Sequence, residues 1–246
     1  MDKDTLTHEL RSEGGASIEF LNAEEIREIE PAITPIFESG YLMPENGHCK
    51  DPFGLANGLV KMFVNKGGVL VKADVLDFIF DADGVSGLST SSVVLNTRRV
   101  VIAAGIWSKT LCERLGLPVP LESHRGYHAT IENSNISLRH MCFPVDYKFA
   151  ITPMSMGLRI AGTVEFAGLG DPPNYERVNK MVKSCHTILN GSIANTTRSG
   201  WVIGPACQIA YQSLENLGNI PIYSLRSGMD IKGLSAPHKL VKLLPK

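Results

Sequence analysis

Apolar residues along the chain switch between two periods, and the switches mark out its elements. Asn22-Ala-Glu-Glu-Ile reads as a helix start. The Asn22 side chain can take up a free backbone N–H, Glu24 and Glu25 suit the positive end of the helix dipole, and Pro31 and Pro35 bound the segment. A second helix is predicted from Asp51-Pro52, a cap followed by proline in the first turn. Leu55, Leu59, Met62 and Phe63 then recur at helical spacing as far as Gly67-Gly68, and this apolar stripe reads as core. Over residues 69–105 the period becomes that of strands. Val69, Val71, Ala73 and Val75 alternate with other residues, Asp83-Gly84 is a hairpin turn, and residues 93–95 and 100–104 are short β-rich runs, together predicting a small sheet. Residues 107–115 resume helical spacing before Gly116. Pro118 and Pro120 then force an extended connection into a strand over 126–131. Further strands are predicted over 149–152 and 158–164. Residues 174–189 carry Val178, Met181, Val182, Cys185 and Leu189 on one helical face, and residues 237–244 read as a final helix.

Composition narrows the classes of function. The 246 residues are 43% hydrophobic and 20% charged, with 24 Lys and Arg against 25 Asp and Glu. That is an ordinary globular balance, and without a basic run it offers no electrostatic footprint for nucleic acid. The longest apolar runs, such as 100–106, fall short of the roughly 20 residues of a membrane-spanning helix, so no transmembrane segment is expected. The polar, acidic start lacks the pattern of an export signal, so a cytoplasmic setting is expected, with peripheral contact to the inner membrane left open. Cys49, Cys112, Cys142, Cys185 and Cys207 are odd in number, widely spaced and without a C-x-x-C pair, which argues for reduced structural thiols over a disulfide framework or a zinc site. Neither His48 nor His186 has a partner at metal spacing, and both read as surface or capping residues.

Single-motif signatures are missing: there is no G-x-S-x-G, no H-E-x-x-H, no phosphate loop ending in Lys-Ser/Thr and no G-x-G-x-x-G. The most suggestive segment is Arg99-Val-Val-Ile-Ala-Ala-Gly105-Ile-Trp-Ser108. It reads as a buried strand running into small residues and a helix, a corner that either lets a flat ligand approach or is simply tight packing. Arg125 and Tyr127 alternate on a strand and share one face, able to meet a carboxylate or to be a solvated Arg and a half-buried Tyr, while His128 points the other way. Arg159 and Glu165 sit an even number of residues apart on one strand, which would let them pair with each other.

Residues 100–108 resemble the second dinucleotide-contacting strand of the D-amino-acid oxidase and dehydrogenase family of flavoproteins. Three more segments agree in order. Gly40-Tyr-Leu-Met-Pro-Glu-Asn-Gly-His48 before Asp51-Pro52 resembles the family's segment leading into a helix beside the substrate domain. Ser123-His-Arg-Gly-Tyr-His128 is similar to its R-G-Y-H strand, and Thr152-Pro-Met-Ser-Met-Gly-Leu-Arg-Ile-Ala-Gly-Thr-Val-Glu-Phe166 to its T-P-x-x-x-G-x-R-x-x-G-T-x-E-F stretch. The resemblance implies an α/β fold, with a partial Rossmann-like FAD-binding domain interleaved with an antiparallel-sheet substrate domain. The cofactor part would take roughly 69–120 and 200–246, the substrate part 17–68 and 121–190. It implies FAD as cofactor, with Val75, Ala103, Ala104, Gly105 and Trp107 at the cofactor and Arg125 and Tyr127 at the substrate. The implied reaction is oxidative deamination of a D-amino acid or related amine by hydride transfer to the flavin.

Two departures qualify what the resemblance implies. Relatives open with a strand, G-x-G-x-x-G and helix that hold the FAD pyrophosphate, and this chain has no such unit. Near its C-terminus the R-P-S/T element and the G-H-x-H-x-G-L-T loop of relatives are also not recognisable, so no catalytic residue is assigned and Arg198 and Arg226 stay outside the site. The alternative to an enzyme is a non-catalytic remnant or accessory subunit that binds no FAD alone, with a second chain supplying the missing dinucleotide-binding half. An unrelated α+β binding module would require four chance matches.

Overall fold

A computed structural model describes residues 14–15, 17–191, 193, 197–207 and 240–244. The first helix, α1 (Ala23–Ile29), follows strand β1 (Glu19–Asn22). It starts where the sequence places it: the Asn22 carboxamide oxygen accepts from the Glu24 and Glu25 backbone N–H groups, and the Glu25 carboxylate accepts from the Asn22 N–H in return. After β2 (Ser39–Met43) comes α2 (Pro52–Asn65), capped by the Asp51 side chain, which accepts from Gly54 N at 2.8 Å. A small three-stranded sheet follows, built from β3 (Val75–Asp81), β4 (Gly84–Thr90) and β5 (Val94–Asn96), with Asp83-Gly84 at the first hairpin. A 3-10 turn (Gly105–Trp107) leads into α3 (Ser108–Arg114).

The larger sheet adds β6 (Leu121–Ile131), β7 (Met141–Pro144), β8 (Phe149–Met154) and β9 (Gly157–Phe166), then, beyond α4 (Glu176–Ile188), β10 (Thr197–Cys207) and β11 (Leu240–Leu244). Its eight strands run in the order β1-β2-β11-β7-β8-β9-β6-β10, and every pairing is antiparallel except β11 with β7. The expected final helix is therefore corrected over its described part: Leu240–Leu244 is a strand. Five mostly apolar residues satisfy either period, and here β2 and β7 both offer backbone groups that only a strand can pair. Residues 208–239, Arg226 among them, lie outside the described residues.

One face of the large sheet closes a core with α4. Val178, Met181, Cys185 and Ile188 of the helix pack with Tyr127, Ala129 and Ile131 of β6, Phe149 and Ile151 of β8, and Leu158 and Ile160 of β9. Ile26 of α1, Ile33 and Phe37 complete it. Each buried aliphatic side chain contributes about 1.5–3 kcal/mol relative to exposure. At the rim the Glu30 carboxylate is fully buried. It accepts from Arg139 N at 2.9 Å, His140 N at 2.6 Å and the His140 ring Nδ1 at 2.6 Å, which fixes the chain just before β7.

The stretch from α2 to the 3-10 turn is different. No residue of α2 is buried, and the predicted core stripe stands in solvent, with Phe63 51% exposed. The strand expected over 100–104 is an irregular segment with Val101 86% exposed, and the alternation at Val69 to Ala73 forms no strand before β3 begins at Val75. These sequences have the composition of elements covered on both sides. Among the described residues no strand pairs with 100–104 and no layer covers α2, so propensity alone does not order the first or bury the second. A small cluster, Ile106, Cys112, Val119 and Leu121, is buried nearby, as is Phe78 of β3.

Candidate functional site

The large sheet has a second face. Residues directly opposite one another across paired strands share a face, so the register defines two rows. One runs Thr152, Arg159, Thr130 across β8, β9 and β6, with Arg198 at the next register position on β10. The neighbouring row runs Ala150, Ala161, His128 and Gly200. Thr130 and Thr152 are buried, while Arg159, His128, Ala150 and Ala161 are half-buried. Among the described residues the helix packed on β6 and β9 is α4, and it lies on the other side. His48, expected at the surface, is instead buried, with its Nε2 2.9 Å from the Pro153 carbonyl at the end of β8.

Arg125 and Tyr127 share a face, as their alternation predicts, but it is the α4 face, and both are buried to 1%. The Arg125 guanidinium donates to the Pro172 carbonyl at 3.0 Å and the Asp171 carbonyl at 2.7 Å, and lies 3.6 Å from Glu165. The Tyr127 hydroxyl donates to Glu165 and accepts from Asn174 N at 2.8 Å. Together they hold residues 168–174, the approach to α4. Their arrangement depends on a β-bulge: Gly126 pairs with Val164 but Tyr127 with Gly162, leaving Thr163 as the extra residue at φ +54°.

The bulge corrects the expected pairing of Arg159 with Glu165. An even spacing puts two residues on one face only if the strand is regular, and one extra residue turns Glu165 over to Arg125, Tyr127 and Arg177. Arg159 stays on the opposite face, and no carboxylate lies within ion-pair distance of it among the described residues. Burial lowers its pKa from the usual arginine value without discharging it. His128 is held below the usual histidine value, first by burial and then by the Arg159 charge, so the imidazole is neutral at pH 7. Sequence reading placed His128 on its face but missed the Thr130–Arg159–Thr152 row, whose signal is the register and not a motif.

Of the residues matched to the cofactor, Ala104 is half-buried and the others are exposed. Val75 opens β3 at the surface, Ala103 and Gly105 are exposed, and Trp107 is 59% exposed. Gly105 turns the corner at φ +57°, a conformation that side chains disfavour, and Ala104 N donates to Ser108 Oγ at 3.1 Å. Arg114 of α3 donates to the Leu76 carbonyl, tying β3 to the helix that follows this corner. Among the described residues no group of His, Cys, Asp and Glu could hold a metal ion. The buried thiols are poor nucleophiles, since burial pushes Cys185 up to about 12 and, with the nearby Glu30 charge, raises Cys142 as well.

The large sheet thus has one face covered by α4 and carries Arg159 on the other. The profile of the DAO family of FAD-dependent oxidoreductases matches residues 2–218, and the chain belongs to that family. It is 35% identical to a D-amino-acid oxidase of Bradyrhizobium diazoefficiens over 168 residues, 68% of this chain and 40% of that relative. Glycine oxidase from Geobacillus kaustophilus superposes with a TM-score of 0.70 at 19% identity, over 100% of this chain and 63% of that one. L-proline dehydrogenase from P. horikoshii does so with a TM-score of 0.69 at 17% identity, over 99% and 64%. At such identities the structural likeness concerns fold alone. The chain thus spans between two fifths and two thirds of the length of these relatives. FAD is the cofactor of the family, and among the described residues no helix is long and apolar enough to cross a membrane.

Proposed function

We propose that this chain forms the substrate-binding part of an FAD-dependent oxidoreductase acting on a D-amino acid or a related amine. The observation that carries the reading is the open face of the sheet, where half-buried Arg159 and neutral His128 sit in adjacent rows flanked by small side chains and buried threonines. When bound, FAD supplies the two-electron acceptor for the hydride that leaves the α-carbon, and the resulting imine hydrolyses to a carbonyl compound and ammonia. The chain's own contribution is to bind and orient the substrate against that face and keep water from it. Arg125 and Tyr127 act at one remove, as positioning residues that lock β6, the bulge and the 168–174 segment.

The exposed corner fits a flat cofactor. Ala103, Ala104 and Gly105 present little side chain, a Cβ at Gly105 would meet nothing within 4 Å, and Val75 and Trp107 are open to contact. These residues would hold one side of the cofactor. The pyrophosphate needs backbone N–H groups of the glycine-rich kind, which this sequence does not contain, so a further polypeptide unit is assigned to that role. The same unit would cover the bare apolar faces of α2 and residues 69–76.

That bare surface also favours a second reading, an accessory subunit that binds no FAD alone. An absorption spectrum of the purified chain titrated with FAD separates the two, using the flavin bands at about 370 and 450 nm. Saturable binding, followed by bleaching on addition of a D-amino acid without oxygen, is the expected result for the enzyme. No binding at high FAD concentration assigns the chain to the accessory role.

A further inference from the structure

Asparagine is followed by glycine at Asn46-Gly47, Asn57-Gly58 and Asn190-Gly191. Such a pair can react with itself: the glycine backbone nitrogen attacks the asparagine side-chain carbonyl carbon, and glycine has no Cβ to hinder the approach. The reaction needs an unbonded backbone N–H, a carboxamide free to turn and a backbone able to bend, and the fold grants these unequally. Asn57 and Gly58 lie inside α2, where the Gly58 N–H is taken up by the helical ladder. The Asn190 carboxamide donates to the Pro31 carbonyl at 3.3 Å and the Ile33 carbonyl at 3.1 Å, and the Asn190 N–H donates to the Ala32 carbonyl at 2.7 Å, so that side chain is held in place. Asn46 and Gly47 are exposed, in the irregular segment that follows β2. Among the described residues the Gly47 N–H has no hydrogen-bond partner, and the Asn46 carboxamide donates only to the Met43 sulfur at 3.3 Å, a weak acceptor.

We propose that the fold singles out Asn46-Gly47 as a self-modification site, which converts to aspartate and isoaspartate through a cyclic imide. The Gly47 nitrogen bonds to Asn46 Cγ, the Cγ–Nδ2 bond breaks, and the displaced nitrogen leaves as ammonia with the Gly47 proton. One water then opens the ring at either carbonyl, giving aspartate or the isomer whose main chain runs through the former side chain; nothing is oxidised or reduced. Both products add one negative charge to a chain of formal net charge -1. The isomer also lengthens the backbone two residues before His48, whose Nε2 is anchored 2.9 Å from the Pro153 carbonyl. The inference is independent of the functional reading above, since it uses none of the residues assigned to substrate or cofactor.

The test holds the purified chain in mildly alkaline buffer at physiological temperature, with folding checked by circular dichroism. Peptide-mapping mass spectrometry then follows the mass gain at each of the three asparagines and separates the isoaspartyl from the aspartyl peptide. In the folded chain Asn46 is expected to convert about tenfold or more faster than Asn57 and Asn190. In urea, where the helical ladder and the Asn190 contacts are gone, the three rates should come within about threefold of one another. Gly47→Ala should slow the conversion of Asn46 about tenfold, because a Cβ crowds the attacking nitrogen. Equal rates at the three sites of the folded chain, or faster loss at Asn57 or Asn190, overturn the inference. So does an unchanged rate in Gly47→Ala, and so does a lead of Asn46 that is just as large in urea, which would place the selectivity in local sequence and not in the fold.

Discussion

The sheet closed by α4 and the stretch from α2 to the 3-10 turn have similar apolar content and opposite outcomes. In the first, Tyr127, Phe149, Ile151, Ile160 and Cys185 all have a partner across the layer and are buried. In the second, Phe53, Phe63, Val69 and Val101 face solvent. Apolar periodicity therefore records which face an element wants to bury, and burial itself depends on a second layer being supplied. The α4 layer comes from within the chain; the layer over α2 does not come from the described residues.

The comparison can be broken experimentally. Phe149→Ala should cost about 4 kcal/mol in urea unfolding, since it leaves a cavity between β8 and α4. A loss below about 1 kcal/mol would show that this core is no better packed than the α2 side. Glu30→Ala should cost about 3 kcal/mol by the same measurement, because it removes the fully buried carboxylate that accepts from Arg139 N, His140 N and the His140 ring.

The buried thiol gives a pH test of the same contrast. With Cys185 at about 12 in the fold and near 9.0 when unfolded, the unfolded chain loses its proton first. Stability from this group is then intact below about pH 9 and falls by about 1.4 kcal/mol per pH unit above it, until the folded thiol also ionises. Unfolding between pH 8 and 10.5 should be less steeply pH-dependent in Cys185→Ala, whereas equal slopes would mean that water reaches the thiol. The smallest effect is expected on the bare side: Leu59→Ser with Phe63→Ser should change stability by no more than about 0.5 kcal/mol while reducing binding of a hydrophobic dye. A large loss of stability would mean that these side chains are packed in solution.

Local chemistry was the legible part of the sequence. The Asn22 capping box, the Asp51-Pro52 start, the Asp83-Gly84 hairpin and the α4 stripe depend on neighbours within a few residues, and each is in place. What could not be read depended on distant partners. Residues 100–104 carry strand residues but have no adjacent strand among the described residues, and Leu240–Leu244 became a strand because β2 and β7 receive it. The candidate site divides in the same way. The shared face of Arg125 and Tyr127 followed from alternation, but which face was covered did not. That Glu165 turns away from Arg159 was hidden behind one irregular residue, because no feature of Gly162-Thr163-Val164 announces a left-handed threonine.

That threonine also says which kind of genetic change the charge pattern of this sheet can absorb. Exchanging Thr163 for another residue leaves the strand's count intact, and with it the side of the sheet on which each charge lies. Removing the codon makes β9 regular with Val164 still opposite Gly126 and Glu165 still opposite Arg125, because the odd step that then separates Glu165 from Arg159 keeps the two on opposite faces. A single in-frame deletion at that position would thus straighten the strand and leave each charge on its own side of the sheet.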